Sequence, residues 1–129
     1  MTYKILVADD DFDNRTIARE ALELSGHRVV EATNGLEAVE MAMKERPDVI
    51  LMDLSMPKLN GWEATKRIRQ APEISHIPIV AFTAHALKGD DLRAHAAGCD
   101  DYISKPCQPK DVVRKIQDWL GKSQGGIAR

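Results

Sequence analysis

The sequence has only two cysteines, and its positive and negative charges nearly balance. Two cysteines cannot supply a four-thiolate zinc site, and the four histidines show no ligand spacing beside them, which disfavours structural zinc. Lys and Arg total 18 against 20 Asp and Glu, giving a net charge of −2. This lacks the cationic excess that binding to a phosphate backbone requires. We therefore expect neither a structural zinc domain nor a nucleic-acid module.

Long apolar segments are also missing. No apolar run approaches the roughly 20 residues that a bilayer-spanning helix needs, and the first four residues lead directly into a predicted strand. We therefore expect a soluble, cytoplasmic protein without membrane contact. Cys99 and Cys107 flank a short predicted strand that would hold their Cα atoms beyond the roughly 7 Å limit for a disulfide, so both are predicted to be free thiols.

The length of 129 residues fits one domain. Apolar periodicity extends to Leu120, and the segment after it contains three glycines without a periodic apolar pattern. We expect a domain over residues 1–120 and a flexible tail over 121–129.

Short apolar runs alternate with segments of helical spacing five times along the chain, which is typical of a βα repeat. The runs cover residues 5–8, 29–30, 49–52, 79–82 and 102–103. The first, third and fourth are wholly apolar, as strands covered on both faces must be, whereas the second and fifth have polar flanks like edge strands. The pattern predicts an α/β fold of the flavodoxin-like (βα)5 type, with a doubly wound parallel sheet in the order 2-1-3-4-5.

The intervening segments show helical periodicity with recognisable ends. The first helix is predicted to end at Ser25-Gly26 and the second before Pro47, because a residue preceding proline disfavours helical dihedrals. Gly61 is predicted to open the third helix. The predicted apolar faces are Ile17, Ala18, Ala21 and Leu22; Leu36, Val39, Ala42 and Met43; Ala64 and Ile68; and Val112, Val113, Ile116, Trp119 and Leu120, while the fourth helix is placed over 87–97.

Aspartates follow two neighbouring strands of the predicted sheet. Asp9, Asp10 and Asp11 follow the first strand and Asp53 the third, so their carboxylates are predicted to meet where the strand order reverses. Aspartates after strands commonly cap the next helix, but Asp53 lies too far before Gly61 for that role. Clustered carboxylates repel one another unless a cation joins them, and hard oxygen ligands suit Mg²⁺. The sequence therefore predicts a divalent metal site.

Two further polar residues end strands at the same edge of the sheet. Thr83 closes the fourth strand and Lys105 follows the fifth. Alone, a threonine there is an ordinary turn residue and a lysine is ordinarily solvated. Together with the carboxylates they form a set of nucleophile, metal ligands, hydroxyl donor and ammonium. Three carboxylates, Mg²⁺ and Lys105 sum to about zero charge, so the pocket could accept a phosphoryl group of about −2. A phosphorylatable carboxylate is the implied chemistry.

The ordered motifs resemble the receiver domain of two-component response regulators over about residues 3–120. They are ILVADD at 5–10, LMDL at 51–54 with MP at 56–57 and Gly61, TA at 83–84, and SKP at 104–106. The resemblance implies that Asp53 is the phosphoacceptor and that Asp9 and Asp10 hold Mg²⁺, or Mn²⁺, with Asp53 and the backbone carbonyl of Ser55. It also implies that Thr83 and Lys105 bind the phosphoryl oxygens, that Tyr102 is the switch aromatic, and that the Lys105–Pro106 peptide is cis. Asp11 is interpreted as a solvated helix cap.

The segments 83–90 and 97–106 are similar to single-domain regulators of the DivK type and to receivers of hybrid kinases. This similarity implies a sensor histidine kinase or histidine phosphotransferase as phosphoryl donor. It also implies a protein target that docks on the face formed by helix 4, strand 5 and helix 5. The chain would then be a signalling switch rather than an enzyme, catalysing only its own phosphorylation and dephosphorylation. Cys107 stands where many members have a bulky apolar residue, which leaves the local partner surface open.

Three alternatives remain at this point. A Mg²⁺-dependent phosphatase of the haloacid dehalogenase type would use Asp53 as nucleophile, but Ser55 stands where such enzymes usually have a second acid. A flavin-binding protein would need neutral or positive groups where Asp9 and Asp10 lie. A receiver that serves only as a passive docking module would not require all the motif residues.

Overall fold

A computed structural model of the chain describes residues 2–54, 56, 58–83, 90–104 and 108–128. Within these ranges strands and helices alternate. They are β1 (Lys4–Ala8), α1 (Phe12–Leu24), β2 (Arg28–Ala32), α2 (Gly35–Glu45), β3 (Val49–Met52), α3 (Gly61–Gln70), β4 (Ile79–Thr83), α4 (Asp90–Ala97), β5 (Asp101–Ser104) and α5 (Pro109–Ala128). The predictions for Ser55, for the Lys105–Pro106 peptide and for Cys107 lie outside the described residues.

The strands form one parallel five-stranded sheet in the order β2-β1-β3-β4-β5. The predicted fold class and strand order are therefore confirmed. β1 lies between β2 and β3, with Ala8 opposite both Ala32 and Met52. The residues that follow these strands are thus placed side by side at one edge of the sheet.

Apolar side chains cover both faces of the central strands. In β1, Leu6 and Ala8 belong to the core that α2, α3 and α4 cover, whereas Ile5 and Val7 belong to the core that α1 and α5 cover. Neighbouring residues of a strand point to opposite faces, so a strand covered on both sides must be apolar throughout. This explains why the three internal strands read as continuous apolar runs.

Helix ends agree with the sequence in several places. Ser25 is the C-cap of α1, Gly26 follows it with a φ of 92°, and Gly61 opens α3. The predicted face of α2 is partly wrong, because Leu36 and Met43 are 43% and 39% exposed. Ala42 is buried as predicted, and Ala38, which the pattern did not include, is buried as well. In α1, Ile17 is also exposed, while Ala18 and Leu22 are buried.

The small buried residues of α2 reflect how closely this helix approaches the loop before α3. A Cβ on Gly35 would lie 1.7 Å from the carbonyl oxygen of Leu59. The backbones therefore meet directly, and alanines fill the space beneath α2 where larger side chains would not fit.

The last helix is longer than the sequence predicts. α5 continues past Leu120 to Ala128, although the apolar periodicity of the sequence ends at Leu120. Extending an existing helix costs less free energy than nucleating a new one, which allows it to pass through Gly121. The domain boundary at residue 120 stays a prediction.

In the described part of the chain, no helix combines the length and apolar character needed to cross a membrane. Cys99 is a buried free thiol whose sulfur lies 3.7 Å from the hydroxyl of Thr65. Burial raises the pKa of the Cys99 thiol, which keeps it protonated and less reactive.

Candidate functional site

The carboxyl ends of β1 and β3 place Asp9 and Asp53 beside each other. The Asp53 N–H donates to the Ala8 carbonyl at 2.9 Å, and the Asp9 N–H donates to the Ala32 carbonyl at 3.0 Å. Each aspartate therefore continues the hydrogen-bond ladder of its strand by one residue. Both side chains are buried, with residue exposures of 3% for Asp9 and 6% for Asp53.

Asp10 completes a cluster of three carboxylates. Asp9, Asp10 and Asp53 each offer an oxygen, and these oxygens all lie within 4.8 Å of one another. Asp10 is exposed while the other two are buried, so the cluster opens to solvent on one side. Carboxylates at this separation repel one another, and an all-oxygen donor set fits a hard divalent cation. The cluster could therefore hold a metal ion.

Asp11 has a different role from its neighbours. It is the N-cap of α1, and its carboxylate accepts a hydrogen bond from the Asn14 N–H at 2.9 Å. Its own N–H donates to the Asp9 carboxylate at 2.9 Å. The prediction that Asp11 caps the helix is confirmed, and the same turn orients Asp9.

Arg15 contacts the site from one turn inside α1. One guanidinium nitrogen donates to the Asp9 carbonyl at 2.9 Å, and Nε donates to the Glu31 carboxylate of β2 at 2.9 Å. Sequence reasoning missed this residue. The sequence shows only an arginine in the second turn of a predicted helix, and arginines are common on any solvated helix face.

A glycine allows α3 to begin directly beside the acidic cluster. The Gly61 N–H donates to the Leu54 carbonyl at 3.1 Å, and a Cβ at this position would lie 2.3 Å from the Asp53 carbonyl oxygen. Asn60 caps the helix by accepting from the Glu63 N–H at 3.0 Å. The start of α3 therefore fits against the strand end that carries Asp53.

Two of the other predicted site residues lie on β4 and β5, and two lie outside the described residues. Thr83 is the last residue of β4, opposite Ser104 of β5, so its backbone lies at the same edge as Asp53. Tyr102 lies opposite Ala81 and is half-buried. Ser55 and Lys105 are not among the described residues, and their roles stay predictions.

A second polar cluster joins β5 to α5. The Asp101 carboxylate accepts hydrogen bonds from the Trp119 indole N–H and the Tyr102 N–H, both at 2.8 Å, and Lys115 lies 3.4 Å away. Partial burial raises the pKa of Asp101, but these hydrogen bonds and the lysine outweigh it and lower the pKa below its usual value. Sequence reasoning assigned Trp119 to packing alone and missed this link, because the indole N–H gives no periodic signal.

Comparison with known proteins agrees with this architecture. Residues 5–117 match the response regulator receiver domain. The polar-differentiation response regulator DivK of Brucella anthropi is 39% identical over 121 residues, which cover 94% of this chain and 98% of DivK.

Solved structures give the same result. The receiver domain of the sensor histidine kinase PA1611 from Pseudomonas aeruginosa, which has a magnesium ion coordinated in its active-site cleft, is 37% identical with a TM-score of 0.86, covering 94% of this chain and 99% of that one. The chemotaxis response regulator CheY4 of Vibrio cholerae is 28% identical with a TM-score of 0.86, covering 92% and 99%. With its βα sheet order and clustered strand-end carboxylates, this chain belongs to the response regulator receiver domain family.

Proposed function

We propose that the chain is a phosphoacceptor switch that receives a phosphoryl group on Asp53 from a phosphohistidine of a sensor histidine kinase or histidine phosphotransferase. The observation that carries this proposal is the cluster of three carboxylate oxygens within 4.8 Å at the ends of β1 and β3. The names of the similar proteins support it, since DivK is a response regulator and the PA1611 receiver belongs to a sensor histidine kinase.

The metal site of the proposal uses the residues at the strand ends. Asp9, Asp10 and Asp53, with the backbone carbonyl of Ser55, would hold Mg²⁺, or Mn²⁺ in its place. When bound, the cation neutralises charge between the carboxylates and the transferred phosphoryl group. The magnesium ion in the PA1611 receiver supports this choice of metal.

The chemistry needs one nucleophile. A carboxylate oxygen of Asp53 attacks the phosphorus, the P–N bond of the phosphohistidine breaks, and the imidazole leaves as the acyl phosphate forms. Asp53 is the suitable nucleophile because it is buried and directly follows β3, where its N–H is held by the Ala8 carbonyl of β1. Thr83 and Lys105 would bind the phosphoryl oxygens, and water would later hydrolyse the acyl phosphate.

The output of the switch is a change in protein contacts. The added charge on Asp53 would draw Thr83 towards the phosphoryl group, Tyr102 would follow, and the face formed by α4, β5 and α5 would change its affinity for a protein target. The sheet order supports this path, because Thr83 ends β4, the strand between β3 and β5, and Tyr102 lies on β5 within that face. We place this activity in the cytoplasm, where kinase catalytic domains are found.

The test is phosphoryl transfer from a labelled phosphohistidine protein or from acetyl phosphate. We expect label that hydroxylamine releases on the wild-type chain in Mg²⁺, none on Asp53→Asn, and none on the wild type in excess chelator. Asp13→Asn is the matched control, because Asp13 is an exposed acid in the first turn of α1 outside the three-carboxylate cluster, and it should be labelled like the wild type. Label that persists on Asp53→Asn, or transfer undiminished by the chelator, would refute the proposal.

A further inference from the structure

We propose that Arg15 is a positioning residue for the metal ligands, a role that rests on the proposed function. Its guanidinium bridges two segments: one nitrogen donates to the Asp9 main-chain carbonyl and Nε donates to the Glu31 carboxylate, both at 2.9 Å. One rigid side chain of α1 therefore joins the end of β1 to the edge strand β2.

The surroundings of Arg15 are those of a fixed group. Its side chain is 11% exposed, whereas that of Arg19, one turn further along α1, is 34% exposed. The guanidinium also lies over the ring of Phe12, with its central carbon 5.6 Å from the ring centroid. A planar guanidinium with two partners and a ring against its face has little freedom to reorient.

The Asp9 carbonyl matters because it belongs to the peptide that joins Asp9 to Asp10. The Asp9 N–H is held by the Ala32 carbonyl, and the Asp9 carboxylate is held by the Asp11 N–H. Arg15 adds the third restraint and thereby fixes the plane of the Asp9–Asp10 peptide. Asp9 and Asp10, which carry two of the three clustered carboxylates, are joined by this peptide, so the separation of their carboxylates depends on its orientation.

A positioning role and a simple charge effect of Arg15 predict opposite changes in the affinity for a divalent ion when the residue is replaced. Arg15 is a cation near a cation site, so loss of its charge alone would strengthen the binding of a divalent ion. Loss of positioning would weaken binding, because the carboxylates would no longer be held in one arrangement. Groups that orient metal ligands typically change metal affinity about 10- to 100-fold when they are removed.

Arg19 provides the matched control. It donates to the same carboxylate, Glu31, at 3.2 Å and also pairs with Glu23 of its own helix. With the described residues, its contacts join α1 to β2 and α1 to itself, whereas Arg15 is the arginine bound to the Asp9 carbonyl. Arg19→Ala therefore removes an arginine charge and an ion pair to Glu31, while the hydrogen bond from Arg15 to the Asp9 carbonyl remains.

The experiment is calorimetric titration of the full chain with Mg²⁺ for the wild type, Arg15→Ala and Arg19→Ala. We expect the dissociation constant of Arg15→Ala to rise about tenfold, and that of Arg19→Ala to stay within about twofold of the wild type or to fall. Thermal unfolding in excess chelator reports whether each variant folds. If Arg15→Ala does not fold, Arg15→Lys is used in its place. The lysine ammonium keeps the positive charge but cannot donate to the Asp9 carbonyl and the Glu31 carboxylate in the geometry of a planar guanidinium. The Mg²⁺ affinity of Arg15→Lys should therefore also fall.

Equal or tighter Mg²⁺ binding by a folded Arg15 variant would overturn the positioning role and leave the proposed function standing. An equal loss of affinity in Arg19→Ala would also overturn it, because the effect would then belong to the Glu31 ion pairs in general. A wild-type chain that binds no Mg²⁺ would overturn the proposed metal site and this role together.

Discussion

His27 has an unusual environment for a histidine between a helix and a strand. Its two ring nitrogens are buried and have no hydrogen-bond partner among the described residues, and its ring packs 5.9 Å from that of Tyr3. Burial lowers the pKa of His27, because the charged imidazolium would be poorly solvated there. The folded chain therefore favours the neutral ring.

This environment predicts a pH dependence of stability. Because the pKa is lower in the folded state than the usual 6.5, the unfolded chain binds the proton more readily, and the free energy of unfolding should decrease as pH falls below about 6.5. Denaturant titrations at pH 8 and pH 5.5 would measure this decrease. His27→Phe should lose part of it, whereas the exposed control His76→Gln should keep it. Equal pH dependence in the wild type and His27→Phe would contradict the assignment.

Individual site residues differ in how far the sequence could predict them. Asp9, Asp10 and Asp53 were predictable, because their position after apolar runs also fixes their position at the sheet edge. Arg15 was not, because its partner at the acidic cluster is the main-chain carbonyl of Asp9, and such an acceptor cannot be read from residue type. Asp101 was missed for a related reason, since its partner Trp119 comes from a helix whose rotation the sequence does not specify.

At the scale of elements, the start of α3 depends on the absence of a side chain. A Cβ on Gly61 would lie 2.3 Å from the Asp53 carbonyl oxygen and 2.6 Å from the Leu54 Cα. Both are backbone atoms, so the added methyl group cannot be accommodated by a side-chain rotation. The helix or the end of β3 would have to move.

We expect Gly61→Ala to lower the free energy of unfolding by about 1–3 kcal/mol, the usual cost of overpacking a close contact. It should also slow phosphoryl transfer to Asp53, because the strand end would shift. Gly121→Ala is the control, since a Cβ there meets nothing within 4 Å, and it should be neutral or stabilise α5 by up to about 1 kcal/mol. Urea denaturation measures both variants, and similar stability changes in the two would refute the role of close contact.

The sequence predicted that α2 and α5 are helices, but it did not predict the buried face of α2 or the end of α5 correctly. In α2, apolar residues occur on more than one side, and the exposed positions of Leu36 and Met43 follow from the close approach at Gly35 rather than from periodicity. In α5, the glycines after Leu120 lower helix propensity, yet the helix continues. Long-range packing and propagation decide such cases, and neither is a local property of the sequence.

At the scale of the whole molecule, Arg69 joins segments that are distant in the chain. From the last turn of α3 its guanidinium donates to the Gly98 carbonyl at 2.8 Å, to the Ser75 and Ile77 carbonyls at 2.8 and 2.7 Å, and to the Asp100 carboxylate at 2.6 Å. Asp100 also accepts from the Ile79 N–H at 2.8 Å. One side chain thus connects α3, the segment before β4 and the turn between α4 and β5.

Arg69→Ala should lower the free energy of unfolding by about 2–4 kcal/mol, because several partly buried carbonyls and a carboxylate would lose their donor. Arg67→Ala is the control two residues earlier, where the side chain is exposed, and it should change stability by less than about 0.5 kcal/mol. Denaturant unfolding gives both values. A loss below about 1 kcal/mol for Arg69→Ala would show that water replaces these hydrogen bonds.

The strand order leaves β2 and β5 as the outer strands of the sheet. An outer strand has unpaired N–H and C=O groups that can align with a strand of another molecule and start fibrillar aggregation. β2 begins with the exposed Arg28 and contains Glu31, and β5 begins with Asp101. A strand of another molecule that aligned with either outer strand would have to approach these charged side chains. The charges of β2 and β5 therefore disfavour edge-to-edge pairing of this sheet with another molecule.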